Sequence, residues 1–96
     1  MRQAVVRRKL AETQDRLVQT RHELAVLTEQ YAALDEAAEE LRLRNLVSET
    51  PLSAAEYGDV RRAADVLDRA RQALEDATRE LEAARAGLLE RMEVEP

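Results

Sequence analysis

Apolar residues recur along the first half of the chain with spacings that alternate between three and four. From Gln3 to Asn45 this seven-residue repeat runs without interruption. Its a positions are Gln3, Leu10, Leu17, Leu24, Tyr31, Ala38 and Asn45, and its d positions are Val6, Thr13, Thr20, Leu27, Leu34 and Leu41. A heptad repeat of this length predicts a helix that packs against a partner helix in a left-handed coiled coil.

A second segment repeats the pattern after a short interruption. Its a positions are Val60, Leu67, Leu74, Leu81 and Leu88, and its d positions are Ala63, Ala70, Ala77, Ala84 and Arg91. Small residues at d would let the two helix backbones approach closely. We therefore expect an alanine-lined seam on the second helix.

The interruption carries signals that end one helix and begin another. Pro51 disfavours helical geometry at the residue before it. Ser53 and Glu56 have the spacing of a capping box. Leu52 and Tyr57 are placed for a hydrophobic staple across the start of the second helix.

These signals predict one helical hairpin domain over residues 1–96. Helix one is expected at about 2–47, the turn at 48–53 and helix two at about 54–93. A link this short forces neighbouring helices to run antiparallel. A turn centred between Thr50 and Pro51 pairs residues whose numbers add up to about 101, so that Leu34 faces Leu67 and Tyr31 faces Ala70. The predicted fold class is all-α, a two-helix antiparallel coiled-coil hairpin. Dimerisation of two hairpins into a four-helix bundle is a further hypothesis.

Charge supports the same pairing at coarse scale. Basic residues concentrate in 1–21 and acidic residues in 75–96, two segments that a hairpin brings together. Nearer the turn, Asp35 and its acidic neighbours are expected to approach Arg61. Among the flanking positions, Arg44 and Asp59 form the best opposite-charge pair.

Helix one carries a second apolar stripe on the side away from the seam. Its b and c positions include Ala4, Val5, Ala11, Val18, Ala25, Val26, Ala32, Ala33, Leu46 and Val47. One interpretation is that alanine is a good helix former and needs no partner. The other is that helix one lies between helix two and another chain, because valine suits a solvated helix face poorly. On that hypothesis the protein interface, in a homodimer or with another protein, comprises Val5, Ala11, Val18, Ala25, Val26, Ala32 and Ala33.

Composition limits the classes of function. Charged residues make up 36% of the chain and aromatic residues only 2%, which is typical of long helices and coiled coils. The net charge of −5 argues against nucleic-acid binding, although RNA contact through Arg2, Arg7, Arg8 and Lys9 is a third, least favoured hypothesis. We find no signal peptide and no apolar run long enough to span a membrane, so a cytoplasmic location is expected.

No residue pattern indicates catalysis. There is no cysteine, and His22, the single histidine, falls at a solvent-facing f position. The acid pairs Asp35-Glu36 and Glu39-Glu40 are interpreted as a solvated face. We therefore expect no enzyme activity, no catalytic residue, no metal and no cofactor.

The residues after the turn, Ala55-Glu56-Tyr57, resemble the tip of the amino-terminal coiled coil of the Gre transcript-cleavage factors. That family inserts its hairpin into the secondary channel of bacterial RNA polymerase. The family's two catalytic acids would fall on Thr50 and Ser53, neither of which is acidic. The resemblance therefore implies a bacterial protein that occupies the channel without promoting cleavage, through the tip acids Glu49, Glu56 and Asp59.

Overall fold

The computed structural model describes residues 2–94 and contains two α-helices over that range. Helix α1 spans Arg2–Ser48 and helix α2 spans Pro51–Val94, with Glu49 and Thr50 between them. No strand occurs among the described residues. The predicted all-α two-helix hairpin is confirmed, whereas the link is two residues long rather than six.

The turn uses one residue to end α1 and the next to begin α2. Glu49 adopts a left-handed conformation with φ of 41°, and its N–H donates to the Asn45 carbonyl at 2.9 Å. This is the αL capping motif, in a residue other than the usual glycine. The hydroxyl oxygen of Thr50 accepts from the Ser53 N–H at 3.0 Å, and the Thr50 carbonyl accepts from the Ala54 N–H. Thr50 is therefore the N-cap of α2.

The capping box and the staple were predicted wrongly. Ser53 lies inside the first turn of α2 and donates its N–H instead of acting as the cap. Leu52 is a helical residue and is largely exposed, so it does not form the predicted staple with Tyr57. The reason is Pro51, which occupies the first helical position, where its fixed φ suits the helix and its missing N–H costs nothing.

The chain divides into two compact units. Unit 1 consists of Met1–Leu24 and Ala73–Pro96, and unit 2 consists of Ala25–Gln72. In unit 1, Arg21 pairs with Glu82 at 3.0 Å and Arg85 donates to Gln14 at 3.2 Å, so the helices run antiparallel. The numbers of these paired residues add up to 103 and 99, close to the predicted 101.

Unit 2 has the same antiparallel order around the turn. Arg61 pairs with Asp35 at 3.0 Å, as the charge pattern predicted. The Arg71 guanidinium carbon lies 5.5 Å from the centre of the Tyr31 ring. These residue numbers add up to 96 and 102, which again bracket the predicted register.

The predicted seam of α1 is confirmed along its whole length. All thirteen a and d positions from Gln3 to Asn45 are buried or half-buried. Val6 and Leu17 in unit 1 and Ala38 in unit 2 are completely buried. The first helix therefore faces its partner as the heptad indicates.

The predicted alanine seam of α2 is wrong. Ala63, Ala70, Ala84 and Arg91 are exposed, and Ala77 is half-buried. The second row of the seam instead lies four residues after each member of the Val60–Leu88 row, at Ala64, Arg71, Thr78, Arg85 and Met92, and Tyr57 extends this row one heptad earlier. The predicted contact of Tyr31 with Ala70 is replaced by the stacking of Arg71 on the Tyr31 ring.

The polar residues in the seam differ in whether their side chains have hydrogen-bond partners. The hydroxyl groups of Thr13 and Thr78 each donate to a backbone carbonyl one turn earlier, at 2.8 Å. The side-chain oxygen of Asn45 is buried and has no hydrogen-bond partner among the described residues. A buried carbonyl oxygen without a hydrogen-bond partner costs stability, so Asn45 is an unfavourable residue in the last turn of α1.

Candidate protein-interaction surfaces

The first candidate surface is the α1 outer face, defined by Val5, Ala11, Val18, Ala25, Val26, Ala32 and Ala33. All seven side chains are exposed. Val18 is 60% exposed and Val26 is 40% exposed. Unit 1 contributes the first three of these residues and unit 2 the remaining four. Each unit therefore presents aliphatic side chains of α1 to solvent, and Ala11, at the edge of this face, also lines a groove between α1 and α2.

The tip acids have three different environments. Glu49 forms the turn, and Glu56 is exposed on the first turns of α2. Asp59 instead forms an ion pair with Arg62 within α2, so the predicted pairing of Asp59 with Arg44 does not occur. Two of the three predicted tip acids, Glu49 and Glu56, thus have no ion pair with any described residue.

A second apolar surface lies beside the turn in unit 2. Leu43, Leu46 and Val47 are spaced so that they share one face of α1, and all three are exposed. Leu52, the second residue of α2, is also exposed. We call these four residues the tip patch. The sequence pattern signalled Leu46 and Val47 as part of the second stripe, but it did not signal Leu43 or Leu52.

Unit 1 contains a groove between its two helices. The groove has a volume of about 550 Å³ and is lined by Arg7, Leu10, Ala11, Gln14, Arg85 and Leu89. Its surface is mainly apolar, and its lining includes two arginines and no carboxylate. Sequence reasoning missed it because Arg85 was assigned outside the seam.

In unit 2, carboxylates of α1 are held by arginines at short range. A hydrogen bond from Arg42 lowers the pKa of Glu39 below its ordinary value. The hydrogen bond to Asp35 raises the pKa of Arg61. A groove of about 630 Å³ lies along this acidic surface, with Leu43 and Arg71 in its lining.

The described residues contain no group of three or more His, Asp or Glu side chains arranged to hold a metal ion. His22 is exposed, as predicted from its f position. Neither helix contains, over the described residues, an apolar stretch of the length required to cross a membrane.

These surfaces belong to a two-helix antiparallel coiled-coil hairpin, the class that the helix bounds and the α1 seam define. Comparisons with protein-family models, with curated proteins and with solved structures gave no match.

Proposed function

We propose that this chain is a cytoplasmic, non-enzymatic protein–protein interaction module that self-associates through the α1 outer face. The observation that carries the proposal is the exposure of Val18 and Val26 on a helix whose other side already packs against α2. Complete burial of an exposed valine contributes about 1.5–3 kcal/mol, so covering the exposed parts of Val18 and Val26 would favour association with a second copy.

The small core supports the same proposal. Among the described residues the fully buried apolar side chains are Val6, Leu17, Ala38 and Ala64. Long helices derive most of their stability from packing of this kind rather than from helix propensity. Association would add buried apolar area that each hairpin lacks.

Light scattering over a concentration series tests the α1 outer face. Combined Val18→Glu and Val26→Glu substitutions are expected to lower the average mass at every concentration and to leave helicity unchanged. Val66→Glu is the matched control, because Val66 is also 60% exposed but lies on α2. Equal effects of the control and the double variant, or a native chain that stays monomeric at the highest concentration, would contradict the proposal.

A second candidate function is insertion of the turn into the secondary channel of RNA polymerase. The specific observation is that Glu49 occupies the two-residue turn and Glu56 is exposed close behind it. Purified RNA polymerase should then retain the protein, and Glu49→Gln with Glu56→Gln should weaken retention. Asp59→Asn serves as the control, because Asp59 is already paired with Arg62. Failure of the polymerase to retain the native chain would remove this candidate.

A further inference from the structure

The groove of unit 1 and the tip patch of unit 2 have complementary chemistry. We propose that the tip patch of one copy docks into the groove of a second copy. This contact goes beyond the proposed function, because it shares only Ala11 with the α1 outer face and uses neither Val18 nor Val26. The occupant of the groove is thus a second copy of this chain.

The tip patch is the most exposed group of large aliphatic side chains in the described chain. Val47 is 88% exposed, Leu52 70% and Leu46 60%. The two-residue turn leaves no loop that could fold over them. Contiguous exposed aliphatic residues of this kind mark interaction surfaces.

The groove offers a matching receptor for aliphatic side chains. Its volume of about 550 Å³ lies within the range of roughly 300–1,000 Å³ in which proteins hold ligands. Leu10, Ala11 and Leu89 supply an apolar floor. Leu89 is itself partly exposed, so a docked side chain would shield it from water.

Charge selects the acidic tip as the occupant. Arg7 and Arg85 line the groove without a carboxylate among the lining residues, and Arg85 is oriented by its hydrogen bond to Gln14. The tip patch is flanked by Glu49 and Glu56, which have no ion pair among the described residues, and by the exposed Arg44. Glu49 and Glu56 together outweigh the charge of Arg44, so a basic rim around an apolar floor meets a rim of net negative charge around an apolar patch.

The two surfaces differ, so the contact is heterologous. Each copy that uses its tip keeps a free groove, and each copy that uses its groove keeps a free tip. Heterologous contacts add copies in series unless a ring closes. This behaviour separates the contact from a two-fold dimer through the α1 outer face, which stops at two copies.

Sedimentation velocity in the Val18→Glu and Val26→Glu background tests the contact without interference from the α1 outer face. The tip variant carries Leu46→Ser and Val47→Ser, and the groove variant carries Leu89→Glu. Each variant alone should raise the dissociation constant by about tenfold or more, because buried aliphatic contacts are removed. Val66→Glu again serves as the control for an exposed valine. Circular dichroism should show unchanged helicity, since the substituted side chains are exposed.

Mixing the two variants is the decisive experiment. The tip variant retains a groove and the groove variant retains a tip, so together they should form a one-to-one dimer that grows no further. Added salt should weaken this dimer, since charges flank the contact. The proposal would be overturned if the tip variant and the groove variant did not associate when mixed. It would also be overturned if either variant alone associated as strongly as the background chain. Neither result bears on Val18 and Val26, which are tested separately.

Discussion

Units 1 and 2 share one heptad pattern but bury side chains of different size. In unit 1 the completely buried residues are Val6 and Leu17, and in unit 2 they are Ala38 and Ala64. Their polar cross-helix links are similar in kind, because Arg21–Glu82 in unit 1 and Asp35–Arg61 in unit 2 are both ion pairs of 3.0 Å. Exposed ion pairs contribute little, so the buried volume distinguishes the units. A continuous heptad repeat thus specifies which residues of the two helices are in contact, but it does not specify how much their packing stabilises each unit.

The largest expected effect is the loss of a buried leucine from unit 1. Leu17→Ala should lower the free energy of unfolding by about 2–5 kcal/mol, the usual cost of such a cavity. Leu43→Ala is the control, because Leu43 lies exposed in unit 2 and should change stability by less than about 0.5 kcal/mol. Urea denaturation followed by circular dichroism measures both. Equal losses would remove the distinction between a buried and an exposed leucine.

The second effect probes the alanine-sized core of unit 2. Ala64→Leu should destabilise the protein by about 1–3 kcal/mol, because the neighbours of a completely buried alanine must shift to accommodate a larger side chain. Ala63→Leu, one residue earlier and exposed, should be nearly neutral. The same denaturation experiment compares them. A larger loss of stability for Ala63→Leu than for Ala64→Leu would support the predicted alanine seam and contradict the observed seam of α2.

The third effect concerns the turn, which belongs to unit 2 alone. Thr50→Ala should cost about 1 kcal/mol, since the Ser53 N–H would lose its acceptor. Ser53→Ala keeps the backbone N–H and should cost less. Melting temperatures of the two variants compare the two candidate caps directly. A larger loss for Ser53→Ala would support the capping box instead.

The smallest effect is a pH dependence within unit 2. The hydrogen bond from Arg42 holds the pKa of Glu39 below its ordinary value of 4.5 in the folded protein. The resulting stabilisation is present above pH 4.5 and is lost as the pH falls through the lower, folded-state value. Glu39→Gln should flatten this part of a plot of melting temperature against pH. Glu40→Gln, at an exposed residue with no ion pair among the described residues, should leave it in place.

The seam of α1 could be predicted from sequence because six of the eight leucines on that helix lie in one a/d stripe, and only Leu43 and Leu46 lie outside it. On α2 the leucine row has two possible partners, the alanines three residues later or the mixed set four residues later. Hydropathy favours the alanines. The structure uses Ala64, Arg71 and Arg85, since arginine stems can line a seam while their charged ends reach Tyr31 and Gln14. Rotation of a helix about its axis depends on contacts that a single sequence does not reveal.

The turn was predictable in place but not in detail. Both Thr50 and Ser53 are good N-cap residues, and the deciding signal was Pro51, which favours the first helical position. The exposed residues of the α1 outer face also followed from the pattern. The groove of unit 1 did not, because it depends on Arg85 and Leu89 coming beside Arg7 and Leu10.

The two-residue turn also has a consequence for the order of folding. Asp35 and Arg61 are 26 residues apart in the chain, whereas Arg21 and Glu82 are 61 apart. Each doubling of a loop adds about 0.6 kcal/mol of closure entropy, so closure should begin at the turn and proceed towards the termini. During synthesis residues 2–24 therefore stay unpaired until residues 73–94 have emerged, and a chaperone or protease would meet them in that state.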